Sequence, residues 1–332
     1  MPAPIEPADL APAPATAPAD SVAPARVAVL VVSWNSATVL PGFLAALPEG
    51  MAGLDWRLVV ADNDSADGSA ELVRRLAPEA VVVRTGRNAG YAAGINAALD
   101  AAERPPGGLD AVLVCNPDIR MAPGCGAALV GALGPGVGIT APLLREADGR
   151  TLVHSLRREP SLGRALGEAL IGNRRAGRFP RWGELVTDPA AYTRRGRADW
   201  ATGALLAISR DCLDACGRWD ESFFLYSEET EYCLRARDAG YATVFEPAAS
   251  ARHLGGESRT SPRLWTLLTL NRVLLYGRRH GPAATTAFRG AVLLRELSRA
   301  LLGRAPSRAA ATALLGLHHL GARRLSPPAA SR

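Results

Sequence analysis

The sequence contains no lysine, so all 38 of its basic residues are arginine. Alanine, glycine and proline are abundant, and we attribute this composition to genomic codon bias rather than to function. Two phosphate-binding motifs are also missing. No GxGxxG follows the first apolar run, and no GxxxxGK followed by Ser or Thr occurs in the chain, which argues against a dinucleotide-binding loop and a P-loop. Any phosphates must therefore be held in another way.

The cysteines do not have the spacing of a metal or redox motif. There are five, an odd number, and no two are spaced as CxxC, which favours a reduced compartment and free thiols. Cys115 closes an apolar run and Cys233 follows an acidic cluster on a predicted helix, so we expect both to be small core residues. We predict no zinc site.

No segment has the length of a transmembrane helix. The longest apolar candidate, 264–276, is interrupted by Asn271 and Arg272 and is too short to span a bilayer. Residues 1–26 are Ala/Pro repeats without the basic start and apolar core of a signal peptide, and we expect a disordered leader there. The expected location is the cytoplasm.

Positive charge is concentrated at the carboxyl end. The formal net charge is +6, but the chain from Arg252 onward has 14 arginines and two glutamates, whereas the part before it has 24 arginines and 30 acidic residues. We predict a basic extension over 261–332 with helices at 263–279, 283–302 and 308–320, in which leucines lie on one face and arginines on the other.

Such helices either pack on a core or lie on an anionic membrane surface, and we expect the second arrangement, at the inner face of the cell membrane. The alternative is that exposed arginines only keep these helices soluble. The extension has no aromatic stacking platform or recognised motif beside it, so we expect no binding of nucleic acid.

From residue 27 onward, short apolar runs alternate with amphipathic segments, as a parallel sheet with crossover helices requires. The pattern predicts an α/β fold with a doubly wound nucleotide-binding half at 27–120. Its predicted strands are 27–32, 57–61, 81–84 and 111–115. A second half, 121–260, has predicted strands at 205–208 and 241–245 and a predicted helix at 229–239.

Polar residues follow all four strands of the first half. Doubly wound sheets bind ligands beyond the carboxyl ends of their strands, so these residues are candidates for a nucleotide site. They are Ser33, Asn35, Asp62, Asn63, Ser65, Asn88, Gly90 and Asn116. The Asp62 carboxylate can accept a hydrogen bond from the imide N–H of uracil or thymine. Helix capping by Asp67 or Ser65, and close packing of Gly90 and Gly94, are the alternative explanations.

The segment Asn116-Pro117-Asp118 follows the fourth strand. Asp118 offers hard oxygen ligands suited to Mg2+ or Mn2+, and a divalent ion can neutralise a diphosphate without a glycine loop. His253 follows another predicted strand and is a candidate second ligand. An ordinary turn and a structural histidine are the alternatives.

Three carboxylates, Glu228, Glu229 and Glu231, directly follow the aromatic stretch 223–225. Aromatic neighbours and nearby like charges both raise the pKa of a carboxylate, which makes a glutamate a useful proton acceptor. The alternative is an ordinary helix start, in which Ser227 is the N-cap and the acidic residues interact with the helix dipole.

Together these motifs resemble those of the inverting family 2 glycosyltransferases of GT-A fold, and within that family the rhamnosyltransferase-like branch. The matching segments follow the order of the family from about residue 27 to 260. They are VVSWNS (31–36), ADNDSADGS (61–69), RNAGYAAGINAAL (87–99), LVCNPDI (113–119), DWATGALLAISR (199–210), GRWDESFFLYSEETEYCLRARDAGY (217–241) and HLGGES (253–258).

The resemblance implies a metal-dependent transfer of a sugar, with rhamnose from dTDP-rhamnose as the best guess. The acceptor would be a hydroxyl of a glycan, a glycolipid or a small aglycone. Asp62 would read the pyrimidine base, and Asp118 and His253 would contact the metal and the diphosphate. Glu229 corresponds to the catalytic base of the family, and Glu228 and Glu231 would support it.

The resemblance also suggests an acceptor or sugar pocket in the second half. We assign five residues to it: Trp200, Gly203, Ala204, Trp219 and Asp220.

The sequence departs from the family at the acidic cluster, where Glu-Glu-Thr-Glu stands in place of Glu-Asp-x-Asp. One extra methylene moves a carboxylate by about an ångström, and a misplacement of that size can cost about a hundredfold in rate. Either the acceptor lies differently or activity is reduced. The alternative hypothesis is therefore a non-catalytic sugar-nucleotide or glycan-binding protein that keeps the fold.

Overall fold

The computed structural model describes residues 24–102, 108–255 and 261–316. Most of the predicted leader, the end of the third predicted tail helix and part of the HLGGES motif therefore lie outside the described residues.

The first half consists of alternating strands and helices, as expected. Its elements are β1 (Arg26–Ser33), α1 (Leu40–Gly50), β2 (Asp55–Asp62), α2 (Ser69–Leu76), β3 (Val81–Arg84), α3 (Tyr91–Ala101) and β4 (Ala111–Cys115). All four predicted strands are present, and their bounds agree with the prediction to within two residues.

These four strands lie parallel in the order β3–β2–β1–β4, which confirms the doubly wound half. The register aligns Ser33 at the end of β1 with Asp62 at the end of β2. Because all four strands run the same way, their carboxyl ends and the polar residues that follow them share one edge of the sheet.

The second half completes the sheet. Its elements are β5 (Ile119–Met121), α4 (Cys125–Gly131), β6 (Val137–Arg145), β7 (Leu156–Arg157), α5 (Leu162–Ile171), α6 (Asn173–Ala176), a 3-10 helix (Pro189–Tyr192), β8 (Gly196–Ala198), β9 (Trp200–Ala201), β10 (Leu205–Ser209), α7 (Arg210–Cys216), α8 (Glu228–Asp238) and β11 (Ala242–His253). Beyond β4 the order continues as β10–β6–β11–β5, with β10 antiparallel to its neighbours, and β7 pairs with β9 in a separate ribbon.

The sheet is buried on both faces, which explains why its strands are almost continuously apolar. Along β1, Ala28, Leu30 and Val32 pack with residues of α3 and α8. The alternate residues Val27, Val29 and Val31 pack with α1, α2 and α4. All five cysteines are free, and Cys115 and Cys233 are fully buried, as predicted.

The carboxyl-terminal extension forms three helices, α9 (Pro262–Arg279), α10 (Pro282–Leu301) and α11 (Ala305–Leu315). They pack on one another and on α5 around a small apolar core that includes the fully buried Phe288.

A buried ion-pair cluster fastens α9 to the second half of the sheet domain. The guanidinium of Arg272 lies 3.0 Å from a carboxylate oxygen of Glu168 and 2.6 Å from one of Glu184. Burial acts to lower the pKa of Arg272, but the two carboxylates raise it above its ordinary value. Removing one partner would leave a buried charge unpaired, so the extension is an integral part of the fold. In the part of the chain that the structure describes, every helix falls short of the length and apolarity needed to cross a membrane.

Candidate active site

Residues of the two halves of the sheet meet at the hydroxyl of Tyr91, which begins α3. This hydroxyl lies 2.7 Å from Oδ1 of Asn116, after β4, and 3.2 Å from the carbonyl oxygen of Gly203, before β10. The backbone N–H of Asn116 donates to the carbonyl of Ala204 at 2.9 Å. Burial raises the pKa of Tyr91 well above its ordinary value, so the side chain stays a hydrogen-bond donor. Tyr91 thus joins the two halves. It was not among the predicted site residues, although it lies in the RNAGYAAGINAAL segment.

Asp62 lies where a ligand can reach an unused acceptor. The residue is 3 % exposed, and its Oδ2 accepts the backbone N–H of Ser65 at 3.2 Å. Its Oδ1, and the hydroxyl of the neighbouring Ser33, are buried without a hydrogen-bond partner among the described residues. Since buried polar atoms are nearly always satisfied, both atoms are candidates for a hydrogen bond to a ligand group or to a water molecule.

Asn35 and Ser65 hold two loops together. The backbone N–H of Asn35 donates to the Ser65 hydroxyl at 2.9 Å, and Asn35 Oδ1 accepts the N–H of Ala66 at 2.9 Å. Gly68, with a φ of 81°, occupies the N-cap position of α2, but Oδ1 of Asp67 accepts the N–H of Ser69, the first residue of the helix, at 3.1 Å. The capping explanation therefore holds in part for Asp67 and was wrong for Ser65. Asn35 and Ser65 shape the rim of the site.

Asn63 and Asn88 bond to the backbone of Gly90. Asn63 Nδ2 donates to the Gly90 carbonyl at 2.9 Å, and the Gly90 N–H donates to Asn88 Oδ1 at 3.1 Å. Gly90 has a φ of 96°, and a Cβ there would overlap the carbonyl oxygen of Phe224. A Cβ on Gly94 would lie 2.6 Å from Cγ1 of Val32. The packing explanation is therefore the one that the structure supports for both glycines.

The two predicted metal ligands lie side by side. Because β11 pairs with β5 so that His253 is opposite Ile119, His253 Nε2 comes within 3.3 Å of Oδ2 of Asp118. The N–H of Gly255 donates to the same oxygen at 3.0 Å. Burial acts to raise the pKa of Asp118, but the hydrogen bonds from His253 and Gly255 hold it below its ordinary value.

This pair fits a metal that is bound mainly through its substrate. No cluster of three or more His, Cys, Asp or Glu side chains that could enclose an ion occurs among the described residues. Ions such as Mg2+ commonly take one or two protein ligands and complete their coordination with phosphate oxygens and water. One carboxylate and one imidazole at the mouth of a nucleotide site meet that requirement.

Glu228 and Glu229 begin α8 after two residues with unusual backbone conformation. Tyr226 and Ser227 have φ values of 70° and 76°, and Ser227 makes no side-chain capping bond, so the interpretation of Ser227 as an ordinary N-cap was wrong. Glu228 is 2 % exposed, and burial together with the charge of Glu229 raises its pKa well above the ordinary value. Backbone conformation of this kind is costly and tends to occur at functional sites.

Glu229 is more open than Glu228 and faces the second half of the site. A Cβ built on Gly203 would lie 3.2 Å from the Cβ of Glu229, so the absence of a side chain at Gly203 gives the glutamate its place. Burial raises the pKa of Glu229, although the charge of Arg157 partly opposes this. Its Oε2 has no hydrogen-bond partner within the described parts of the chain. The carboxylate can therefore accept a proton from a bound group.

Three predicted site residues have other roles. Glu231 forms two hydrogen bonds of 2.9 Å with the guanidinium of Arg235, one turn along α8, which occupies both of its oxygens. Trp219 is 2 % exposed and stacks on Tyr232 with ring centroids 4.5 Å apart, so it belongs to the core and not to an open pocket. Asp220 accepts from Ser222 and pairs with Arg278 of α9. The contacts of these three side chains are thus made within the fold, and none of the three side chains is free to line an open pocket.

Trp200 lies next to a basic residue that the sequence did not single out. The indole is 8 % exposed, and its Nε1 donates to the carbonyl of Arg158 at 3.1 Å. The guanidinium of Arg157 lies 5.7 Å from the centroid of the Trp200 ring. Burial lowers the pKa of Arg157, while several acidic groups, Glu229 among them, act to raise it. Arg157 comes from the short strand β7, which no sequence pattern predicted.

Comparison with known proteins identifies the family of the chain. The family description Glycosyl transferase family 2 matches residues 28–188. The chain is 30 % identical over 237 residues to the N-acetylglucosaminyl-diphospho-decaprenol L-rhamnosyltransferase of Mycobacterium tuberculosis strain ATCC 25618 / H37Rv, covering 68 % of this chain and 75 % of that protein. The same values hold for the protein of strain CDC 1551 / Oshkosh.

Two solved structures share the fold. One is the mannosyltransferase PcManGT from Pyrobaculum calidifontis in complex with GDP-Man and Mn2+, with a TM-score of 0.54, 18 % identity, and coverage of 91 % of this chain and 79 % of that chain. The other is GalNAc-T7 with UDP, GalNAc and Mn2+, with a TM-score of 0.52, 14 % identity, and coverage of 77 % and 48 %.

The fold and the similarities together define a glycosyltransferase of GT-A fold, which confirms the predicted fold class and the prediction of an enzyme. The chain belongs to glycosyltransferase family 2.

Proposed function

We propose that the protein is a metal-dependent inverting glycosyltransferase that moves a sugar from a nucleoside-diphosphate donor to an acceptor hydroxyl. The observation that carries the proposal is Glu229, a buried carboxylate of raised pKa with an unpartnered oxygen among the described residues, beside Gly203. An inverting transfer needs one base, on the side of the sugar opposite the departing diphosphate. We place the donor over 27–120 and the acceptor over 121–260.

Among the three acidic residues, Glu229 suits the base best. Glu228 is almost inaccessible, and Glu231 is engaged with Arg235. In the proposed step, Glu229 takes the proton of the acceptor hydroxyl while the hydroxyl oxygen attacks the anomeric carbon of the donor sugar. The bond from that carbon to the diphosphate breaks, and the diphosphate leaves with its bonding electrons. The nearby charge of Arg157 favours the ionised form that can accept this proton.

The first half would bind the nucleoside diphosphate. Oδ1 of Asp62 is available to accept the imide N–H of a pyrimidine base, with the Ser33 hydroxyl next to it. Asp118 and His253 would hold a divalent ion, Mg2+ or Mn2+, at the diphosphate. A bound ion of this type neutralises charge that develops on the leaving group.

For the donor sugar and the acceptor, the mycobacterial relative supplies the support. Its name describes transfer of L-rhamnose to N-acetylglucosaminyl-diphospho-decaprenol. We propose rhamnose from dTDP-rhamnose as the donor, and a sugar linked to a polyprenyl diphosphate as the first acceptor to test.

The test compares Glu229→Gln with wild type in transfer from dTDP-rhamnose to a lipid-linked N-acetylglucosamine acceptor with Mn2+. A general base contributes roughly 10²- to 10⁴-fold, so we expect kcat to fall by about that factor while donor affinity stays within about twofold. Glu71→Gln, on the exposed face of α2, is a matched control that should keep full activity. Transfer by Glu229→Gln at the wild-type rate would show that the base is another group.

A further inference from the structure

An exposed cluster of aromatic and basic side chains lies in the second half, away from the strand ends. Within 173–182, which comprises α6 and the turn after it, seven residues are exposed, and six of them are arginine or aromatic: Arg174, Arg175, Arg178, Phe179, Arg181 and Trp182. Phe179 is 56 % and Trp182 48 % exposed. We call residues 173–182 the Arg/aromatic segment.

The segment and its flanking residues carry no exposed negative charge within 160–187, although Asp188, directly after this range, is exposed. The acidic residues there are Glu168 and Glu184, and both are buried and paired with Arg272. The five arginines over the same range, the four exposed ones of the segment and the partly exposed Arg164, are therefore not balanced by acids of their own stretch. The surface is strongly positive as well as aromatic.

The helices α5 and α10 contact the segment and carry exposed leucines, which on α10 lie on the side of the helix away from Asn173. Asn173 at its start lies with Oδ1 3.1 Å from Nε of Arg295 in α10, so the segment and α10 are in contact. On the outer side of α10, residues 294, 297 and 301 are leucines spaced by three and four, and all are exposed. Leu166 and Leu170 of α5, four apart, are exposed as well. The acidic residue of α10, Glu296, is fully buried.

We propose that the Arg/aromatic segment, with the exposed leucines of α5, binds an anionic phospholipid bilayer. Aromatic rings and long arginine side chains are favoured at the boundary between lipid headgroups and acyl chains, where one end of the side chain is apolar and the other polar. Each arginine near an anionic surface adds electrostatic attraction. The aromatic anchors come from the second half of the sheet domain and not from the basic extension predicted from the sequence.

The segment is directly connected to the candidate active site. The Arg158 guanidinium donates to the carbonyls of Gly177, Gly183 and Leu185, which frame the segment and the residues after it. The preceding residue, Arg157, is the one whose charge reaches Glu229. The segment is therefore bonded to the residue next to Arg157, and a lipid surface there suits an acceptor that is anchored in lipid.

The test measures binding of the full chain to vesicles of phosphatidylglycerol and phosphatidylcholine, with pure phosphatidylcholine vesicles for comparison. Donor and acceptor are left out, so the result does not depend on the proposed reaction. Replacing two surface arginines should lower the partition coefficient roughly thirty-fold, so we expect Arg178→Gln/Arg181→Gln to lose most of its binding to the anionic vesicles. Leu76→Ala/Arg75→Gln, two exposed residues of α2, is the matched control and should bind as wild type.

A second measurement locates the contact. Brominated lipids quench tryptophans that enter the bilayer, so wild-type fluorescence should be quenched and Trp182→Phe should lose most of that quenching while it still binds. If the wild type does not bind anionic vesicles, or the α2 variant loses as much binding as the segment variant, the proposal is wrong. Unchanged quenching in Trp182→Phe would also overturn the proposal. So would a wild-type dimer that dissociates in Arg178→Gln/Arg181→Gln while vesicle binding stays the same.

Discussion

Asn271 of α9 offers a direct test of how the carboxyl-terminal extension supports the candidate base. It is 4 % exposed, and its Nδ2 lies 2.9 Å from the carbonyl oxygen of Leu225 and 3.1 Å from that of Tyr226. These carbonyls belong to the loop that leads into α8. The loop passes through the left-handed conformations of Tyr226 and Ser227, which cost roughly 1 kcal/mol each and need support from neighbouring structure.

The change Asn271→Ala removes both hydrogen bonds. An unsatisfied buried polar group costs about 1–3 kcal/mol, and because water can reach this partly buried loop we expect a loss of about 2 kcal/mol in the free energy of unfolding. The larger effect should be on kcat, because a shift of about an ångström in Glu229 can cost about a hundredfold. The KM for the donor should change less than kcat, since Asn271 bonds to Leu225 and Tyr226, whereas the loop contacts the donor half through Phe224, which lies against Gly90.

The assay combines urea unfolding with steady-state transfer kinetics at a temperature where both proteins are folded. Thr269→Val is a matched control, because Thr269 is also buried in α9 but its hydroxyl donates within the helix, to the Trp265 carbonyl at 2.8 Å. It should lose stability and keep kcat. In a Glu229→Gln background, Asn271→Ala should cost little further activity, since both changes act on one base. If Asn271→Ala keeps wild-type kcat, or Thr269→Val loses as much, the loop does not position the base.

Four further predictions concern the site. Burial raises the pKa of Glu229 above its ordinary 4.5, so kcat should fall as the pH drops through a value above 4.5, and a pH profile with its acidic limb at or below 4.5 would contradict the assignment. Burial and the charge of Glu229 also raise the pKa of Glu228 in the folded state. The contribution of Glu228 to stability is therefore present below pH 4.5 and is lost as the pH rises through its folded-state pKa. Thermal unfolding of Glu228→Gln should show a smaller decline in stability over that pH range than wild type. Gly90→Ala should lose more than about 2 kcal/mol in urea unfolding because of the overlap with Phe224, whereas Gly86→Ala, with a φ of 70° and open space, should lose only about 1 kcal/mol. Asp118→Ala should abolish the rise in melting temperature that Mn2+ and dTDP together give the wild type, and an equal rise in the variant would argue against Asp118 as a ligand.

Local patterns in the sequence were enough to predict several features of this protein. Apolar runs with polar residues at their ends identified four parallel strands, because a strand buried on both faces has few tolerable substitutes for Val, Ile, Leu and Ala. The same ends marked Asp62 and Asp118, since the chain must leave the sheet there and the side chains of parallel strands share one edge. The acidic cluster and the motif order were sufficient to indicate the family.

The hydrogen bonds and contacts between residues far apart in the chain could not be predicted from these patterns. Glu229 and Glu231 look alike in sequence, yet one faces Gly203 and the other is paired with Arg235. Trp219 was predicted to line a pocket, whereas in the structure it stacks on Tyr232 in the core. Asn271 donates a hydrogen bond to Tyr226, which lies 45 residues away in the chain. The arginines of the Arg/aromatic segment are not balanced by Glu168 and Glu184 because these two glutamates are buried. Hydrogen bonding and burial are properties of the packed chain, and no local periodicity encodes which partner a side chain will find.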